Sequence, residues 1–243
     1  PYNLLLSGRI FNLIFYIIVV YFAIKITPSF KRTMFLLSLM PMSIFLAASL
    51  SYDAVLIPIS FLLFSYALKL ITAPEDYLIT KKDVAIILFI TIFLGGVKAA
   101  YLPFLLILLA IPQKLFGTRK RYFICVTLVV AVGLIACGVP QICNKVETNG
   151  ITLNSAKYVT MQKMYLKTHV TEIPYIIINT FKHFTPFYLT GFFGVLGALD
   201  TNFPIPIIIC FYLILMFVFL ADAFKSSYFK WNVKIFSILA AMI

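Results

Sequence analysis

The Lys and Arg residues of this chain gather at every second junction between its apolar runs, and that pattern restricts the fold more than any other feature. Successive basic junctions carry Lys25, Lys31 and Arg32, then Lys69, Lys81 and Lys82, then Lys114, Arg119, Lys120 and Arg121, then Lys225, Lys230 and Lys234, thirteen of the twenty basic residues. A helical chain threaded through a bilayer keeps its positive residues on the cytoplasmic side. The intervening corners, Ser51-Tyr52-Asp53, Gly95 to Tyr101, and Gly138 to about Pro204, then fall outside. The polar chemistry of the protein is expected there.

With 63% hydrophobic residues and a mean hydropathy of +1.05, the chain is too apolar for a soluble domain, whose apolar fraction is about 45 to 50%. It reads as an all-α, polytopic membrane protein with about 7–8 transmembrane helices. The net charge of +12 sits mostly at helix ends on one face, where insertion and anionic headgroups account for it. No basic run is long enough to track a phosphate backbone, so no nucleic-acid partner is expected. Residues 1–243 read as a single transmembrane domain. The opening at Pro1, and the stop at Ile243 inside an apolar run that has barely begun, read as a fragment of a longer protein. Cys125 and Cys210 lie in apolar runs, while Cys137 and Cys143 flank a helix end and admit a short disulfide. No Cys or His spacing fits a metal site, so none is assigned; a divalent cation stays open as a cofactor, without a motif.

Spans are expected from about Ile10 to Ile26, Thr33 to Leu50 and Tyr52 to Ile71, each with the ~17 to 25 residues a bilayer helix needs. Pro41 and Pro58 predict kinks in the second and third. Val84 to Leu94 and Ala99 to Ile111 are shorter. Either their helices absorb part of the Gly95-Gly96 corner, or the hairpin stops short of the outer surface; both place Lys98 at or below headgroup depth. Further spans are expected at Tyr122 to Cys137 and Pro206 to Ala221, and another begins near Trp231. Residues 138–204 read as an extracytoplasmic loop. Within it Ile173, Ile176, Ile177, Thr180, Phe181 and Phe184 recur at helical spacing beside Lys182 and His183, the pattern of an interfacial amphipathic helix. Gly191, Gly194 and Gly197 offer a smooth face for close packing.

Ionisable residues near membrane depth are functional candidates. Arg9, Asp53 and Lys98 all fall at outer corners, with Tyr52 and Tyr101 beside them. Asp53 has two compatible readings, an N-terminal cap of the third span or a site residue. Arg9 and Lys98 either bind an anion, snorkel, or pair with Asp53. His183 is read as an interfacial residue or a base.

The order of certain segments resembles a known family. Gly8-Arg9-Ile10-Phe11-Asn12-Leu13, Leu39-Met40-Pro41-Met42, Ala47-Ala48-Ser49-Leu50-Ser51-Tyr52-Asp53, Lys98-Ala99-Ala100-Tyr101-Leu102-Pro103 and Gly194-Val195-Leu196-Gly197-Ala198-Leu199-Asp200-Thr201 with Pro204 resemble the bacterial membrane-protein family catalogued as domain of unknown function 2142. Ala198 stands where that family commonly has an aromatic residue. The family is similar in layout to GT-C glycosyltransferases. The resemblance therefore implies a multi-pass protein of the bacterial cytoplasmic membrane that takes sugar from a polyprenyl-phosphate-linked donor and passes it to a cell-envelope glycan on the outer side. It implies an acidic catalytic residue in an outer loop ahead of Pro1, so no catalytic residue is assigned here. Arg9 and Lys98 would hold the phosphate, and Tyr52 and Tyr101 would stack on sugar. A transporter or flippase of lipid-linked glycans, or a non-catalytic assembly partner, are the competing readings.

Overall fold

The computed structural model describes residues 2–74, 76–147, 153–196 and 201–225. They are almost wholly helical: α1 (Tyr2–Ile26), α2 (Lys31–Ser38), α3 (Pro41–Ala47), α4 (Asp53–Ile71), α5 (Lys81–Val97), a 3-10 helix (Ala99–Ala110), α6 (Arg119–Glu147), α7 (Leu153–Thr168), α8 (Ile173–Gly194) and α9 (Ile205–Lys225). A two-residue antiparallel pair, β1 (Val195–Leu196) with β2 (Thr201–Asn202), joins α8 to α9. Among the described residues four helices are long and apolar enough to cross a membrane: Asn3–Ile26, Asp53–Ile71, Arg119–Gly138 and Ile205–Lys225.

These four differ in how much of themselves they bury. In α4, 56% of the apolar window is buried inside the protein, against 11% in α1, 17% in α6 and 11% in α9, so α4 is the central post. Helix α1 lies along it. Gly8, Asn12, Tyr16, Val20, Ala23 and Thr27 recur at three- and four-residue steps on the inward face, while Ile14, Ile17 and Tyr21 point away. Three polar contacts fix this register, from Asn12 Nδ2 to the Ser49 carbonyl (2.7 Å), from Tyr16 Oη to the Ser38 carbonyl (2.8 Å) and from Thr27 Oγ1 to Ser65 Oγ (2.8 Å). In an apolar surround, such groups need internal partners.

The segment expected as one kinked span, Thr33 to Leu50, is instead broken. Met40 takes an extended conformation (φ −58°, ψ 139°) ahead of Pro41, the first residue of α3. Proline disfavours the helical region for its predecessor, so the interruption falls there. By contrast α4 continues through Pro58.

Of the two readings of the Gly95-Gly96 corner, the structure takes the first on the α5 side, where the helix runs through both glycines to Val97. Gly95 is a crossing point. A Cβ on it would sit 2.8 Å from the Gly133 carbonyl oxygen of α6, so two glycines let the backbones meet. Lys98 then turns extended (φ −152°, ψ 113°) and the 3-10 helix begins. Twelve residues in 3-10 form span about 24 Å, against about 18 Å as α-helix. This stretch offsets the shortage of residues seen in the sequence.

Residues 138–147, expected as the start of a loop, continue α6, and much of the following polar stretch forms α7. Because Gly96 lies beside Ala136, the last turns of α6 project past the Lys98 end of the bundle. Continuous helix also separates Cys137 and Cys143 by about 9 Å of rise, too far for a disulfide. The amphipathic segment and the first part of the glycine segment form one helix, α8. Its smooth face is not used throughout: Gly191 faces open space, whereas a Cβ at Gly194 would clash with Phe203 at 2.6 Å. Phe193 stacks on Phe211 of α9 and packs with Met40 and Ile208. Gly197 and the span near Trp231 lie outside the described residues.

Candidate functional site

The corner Ser49 to Asp53 closes the end of the bundle where α4 starts and α5 stops. Tyr52 takes the N-cap position of α4 without a side-chain cap; Ser51 Oγ accepts the Asp53 backbone N–H at 3.0 Å. The Asp53 carboxylate therefore does not cap its helix, which corrects one reading of the sequence. It points across to the α5 end, with Oδ1 3.5 Å from Lys98 Nζ and accepting from Tyr101 Oη at 3.3 Å. The Lys98 ammonium also lies over the Tyr52 ring, at 5.1 Å, and the Tyr101 ring, at 5.8 Å. Three elements thus converge: the loop before α4, the extended joint at Lys98, and the first turn of the 3-10 helix.

Four of the six residues singled out in the sequence meet here, namely Tyr52, Asp53, Lys98 and Tyr101. Arg9 does not join them. Gly8 and Asn12 press on the Ser49-Leu50 corner, and one residue further along a helix is a turn of about 100°, which carries Arg9 to the exposed face. It forms no ion pair or hydrogen bond with a described residue. His183 is likewise exposed, on α8, and has no such partner. Lys98 keeps 41% of its side chain accessible and Asp53 21%, so the pair is reachable from outside. An ammonium has three donors and only one is turned toward Asp53.

A family profile described as "Predicted membrane protein (DUF2142)" matches residues 2–243. The chain belongs to the DUF2142 family. No curated protein and no solved structure matches it. The Ser-Tyr-Asp and Lys-x-x-Tyr segments that carried the family resemblance are the two that touch in this DUF2142 protein, although 45 positions separate Asp53 from Lys98.

Sequence reasoning missed a second polar cluster, at the opposite end of the DUF2142 bundle. Asp83, only 4% exposed, accepts from Tyr66 Oη (2.5 Å), Tyr77 Oη (2.8 Å), and the Thr80 backbone N–H and Oγ1 (both 2.7 Å). Burial pushes its carboxyl up, but the bonds from Tyr66, Thr80 and Tyr77 outweigh that and hold it down at about 2. The same bond raises the Tyr77 phenol above its usual value. Thr80-x-x-Asp83 is a capping box, with Thr80 Oγ1 accepting the Asp83 N–H in return, and that spacing is legible in sequence. Arg121 Nη2 donates to the Ile79 carbonyl at 2.8 Å beside it. This end also holds Lys69, Lys81 and Lys82, so the basic junctions of these helices share one end and Asp53 and Lys98 the other.

Proposed function

We propose that this chain forms part of a membrane glycosyltransferase that takes sugar from a polyprenyl-phosphate-linked donor and modifies a cell-envelope glycan. It would work at the outer face of the bacterial cytoplasmic membrane, with 7–8 crossing segments in a GT-C-like arrangement. In this reading the broken α2–α3 segment, α5 and the 3-10 helix cross as shortened spans, and α7 with α8 lies on the outer side, α8 at the interface. The observation that carries the reading is the Lys98–Asp53–Tyr101 contact beside Tyr52, which is 57% exposed. An open aromatic face, an acceptor-only carboxylate and a half-exposed cation suit a sugar and its phosphate. The two remaining Lys98 donors meet the phosphate as leaving-group charge develops. Asp53 receives sugar hydroxyls. No residue here is assigned as the base that activates the acceptor.

One observation favours a second reading. Helices interrupted at mid-depth line substrate paths in transporters, and α2–α3 is interrupted at Met40. A single experiment separates the two. The full-length protein in proteoliposomes is given a fluorescent polyprenyl-phosphate sugar, and both transfer to glycan and movement between leaflets are followed. The first reading requires transfer, with Lys98→Met weakening donor binding by about 1.5 to 3 kcal/mol, roughly 10- to 150-fold. Leaflet exchange without transfer establishes the transporter instead. Unchanged donor affinity in Lys98→Met removes the phosphate role.

A further inference from the structure

At the end of the bundle opposite Asp53, α9 finishes against the start of α2. The two are locked by a buried carboxylate: Asp222 Oδ2 accepts the Thr33 backbone N–H at 2.9 Å and Thr33 Oγ1 at 3.0 Å. This contact replaces a local cap. Phe30, at the N-cap position of α2, has no side-chain cap bond and sits in the left-handed region (φ 62°), costly for a bulky residue. Its ring stacks on Phe219 of α9 at 5.4 Å, which helps to hold that conformation. Asp222 is thus turned inward and its Oδ2 is occupied by Thr33.

Around this locked platform stand Lys31 and Arg32, the first two residues of α2, and Lys225, the last of α9 and one turn beyond Asp222. All three are exposed, and none bonds to another described residue. Three cations against one carboxylate leave an excess of two positive charges at an apolar boundary. Further into the bundle from these cations, the surfaces of α2 and α9 are apolar and exposed at Phe35, Leu220 and Phe217. A phosphodiester with acyl chains matches both features, charge at the head and hydrocarbon below.

We infer that Lys31, Arg32 and Lys225 form a headgroup site for an anionic phospholipid of the bilayer, seated on the α2–α9 junction. The inference is independent of any sugar chemistry at the other end. The test uses the full chain in a neutral detergent, titrated with phosphatidylglycerol, phosphatidylcholine or inorganic phosphate while thermal unfolding is followed. Phosphatidylglycerol should raise Tm by roughly 5 °C at saturation; phosphatidylcholine and inorganic phosphate should not. The triple variant Lys31→Gln/Arg32→Gln/Lys225→Gln should lose most of that rise. Lys81→Gln/Lys82→Gln/Lys120→Gln, which removes equal charge elsewhere, should keep it. Should the first triple variant fail to fold, Lys225→Gln alone is scored by the same shift, which should fall by about half. Equal loss in both triple variants means a diffuse surface potential and overturns the site. An undiminished rise in the first variant overturns it too, and an equal rise with inorganic phosphate identifies a free-anion site in place of a lipid one.

Discussion

Removing the Asp83 carboxylate tests whether the junction between α4 and α5, at the end of the bundle opposite Asp53, is held by one buried acceptor. Four donors reach that side chain, but they are not equally dependent on it. Tyr66 is 5% exposed, so its hydroxyl has no route to water once the carboxylate is gone; Thr80 is exposed and Tyr77 half-buried, and both can rehydrate. In Asp83→Ala the stranded Tyr66 hydroxyl costs about 1 to 3 kcal/mol and the lost capping box about 1 more, so a total of about 3 kcal/mol is expected. Asp83→Asn keeps the shape and an acceptor and should cost about 1 to 2 kcal/mol. The decisive arm is a double-mutant cycle with Tyr66→Phe, read by reversible unfolding in mixed detergent micelles. Alone, Tyr66→Phe loses a bond to a charged acceptor, about 1.5 to 3 kcal/mol; in the Asp83→Ala background it removes the stranded hydroxyl and should cost nothing or restore stability. Additive losses refute the reasoning. A pH arm follows from the same carboxyl. Its folded value is about 2 and its unfolded value about 3.9, so its contribution is complete above pH 4. On the order of 2 kcal/mol is then lost as pH falls from about 4 to about 2. Asp83→Asn should lack that part of the acid loss.

At the α5–α6 crossing, Gly95→Val should cost about 1 to 3 kcal/mol, because its Cβ would lie 2.8 Å from the Gly133 backbone oxygen. Gly191→Ala, with nothing within 4 Å, should be neutral or gain up to about 1 kcal/mol; equal losses at the two sites in thermal unfolding refute the crossing. Asp222→Ala should lower stability by about 1 to 3 kcal/mol by orphaning the Thr33 N–H and hydroxyl, and Thr33→Ala should cost little further in that background. In a cysteine-free background, an impermeant thiol reagent applied to intact cells should label a cysteine at position 154 and not at 120; the reverse overturns the assigned orientation.

How far the sequence carried depends on which physical term decided each element. Length and apolarity govern α1, α4, α6 and α9, and those were legible as runs, as was the sorting of Lys31, Lys81, Lys120 and Lys225 from Asp53 and Lys98. Local backbone chemistry was legible in kind but not in degree: Pro41 signalled a disturbance, and only packing of α2 on α9 and of α3 on α4 and α8 turned a kink into a break. The role of Gly95 was left between two readings because a glycine at a helix crossing and one at a corner look alike until the partner, Gly133, is placed. The polar composition of residues 138–147 and 153–168 concealed helix, since a helix that is not buried in hydrocarbon needs no apolar stripe. At the site, the corner residues were found because a polar triplet between two apolar runs is conspicuous. Arg9 was included because its depth was readable and its helical face was not weighed against Gly8 and Asn12.

The two carboxylates at opposite ends are separated by how completely they are satisfied. Asp83 holds four bonds between 2.5 and 2.8 Å in a nearly closed surround. Re-partnering any of them costs more than a sugar hydroxyl returns. Asp53 has Ser51 at 3.4 Å, Tyr101 at 3.3 Å and Lys98 at 3.5 Å, all at the weak edge of hydrogen bonding, and its cation is half-exposed. An ion pair that open is worth about 0 to 1 kcal/mol, so a ligand can displace it at small cost. The same residue type is therefore scaffold at one end and available at the other. Asp53→Asn should leave unfolding nearly unchanged while altering ligand binding, and Asp83→Asn should do the opposite. If the two variants exchange these effects, geometry has been misread as availability and the Asp53 corner loses its claim as the site.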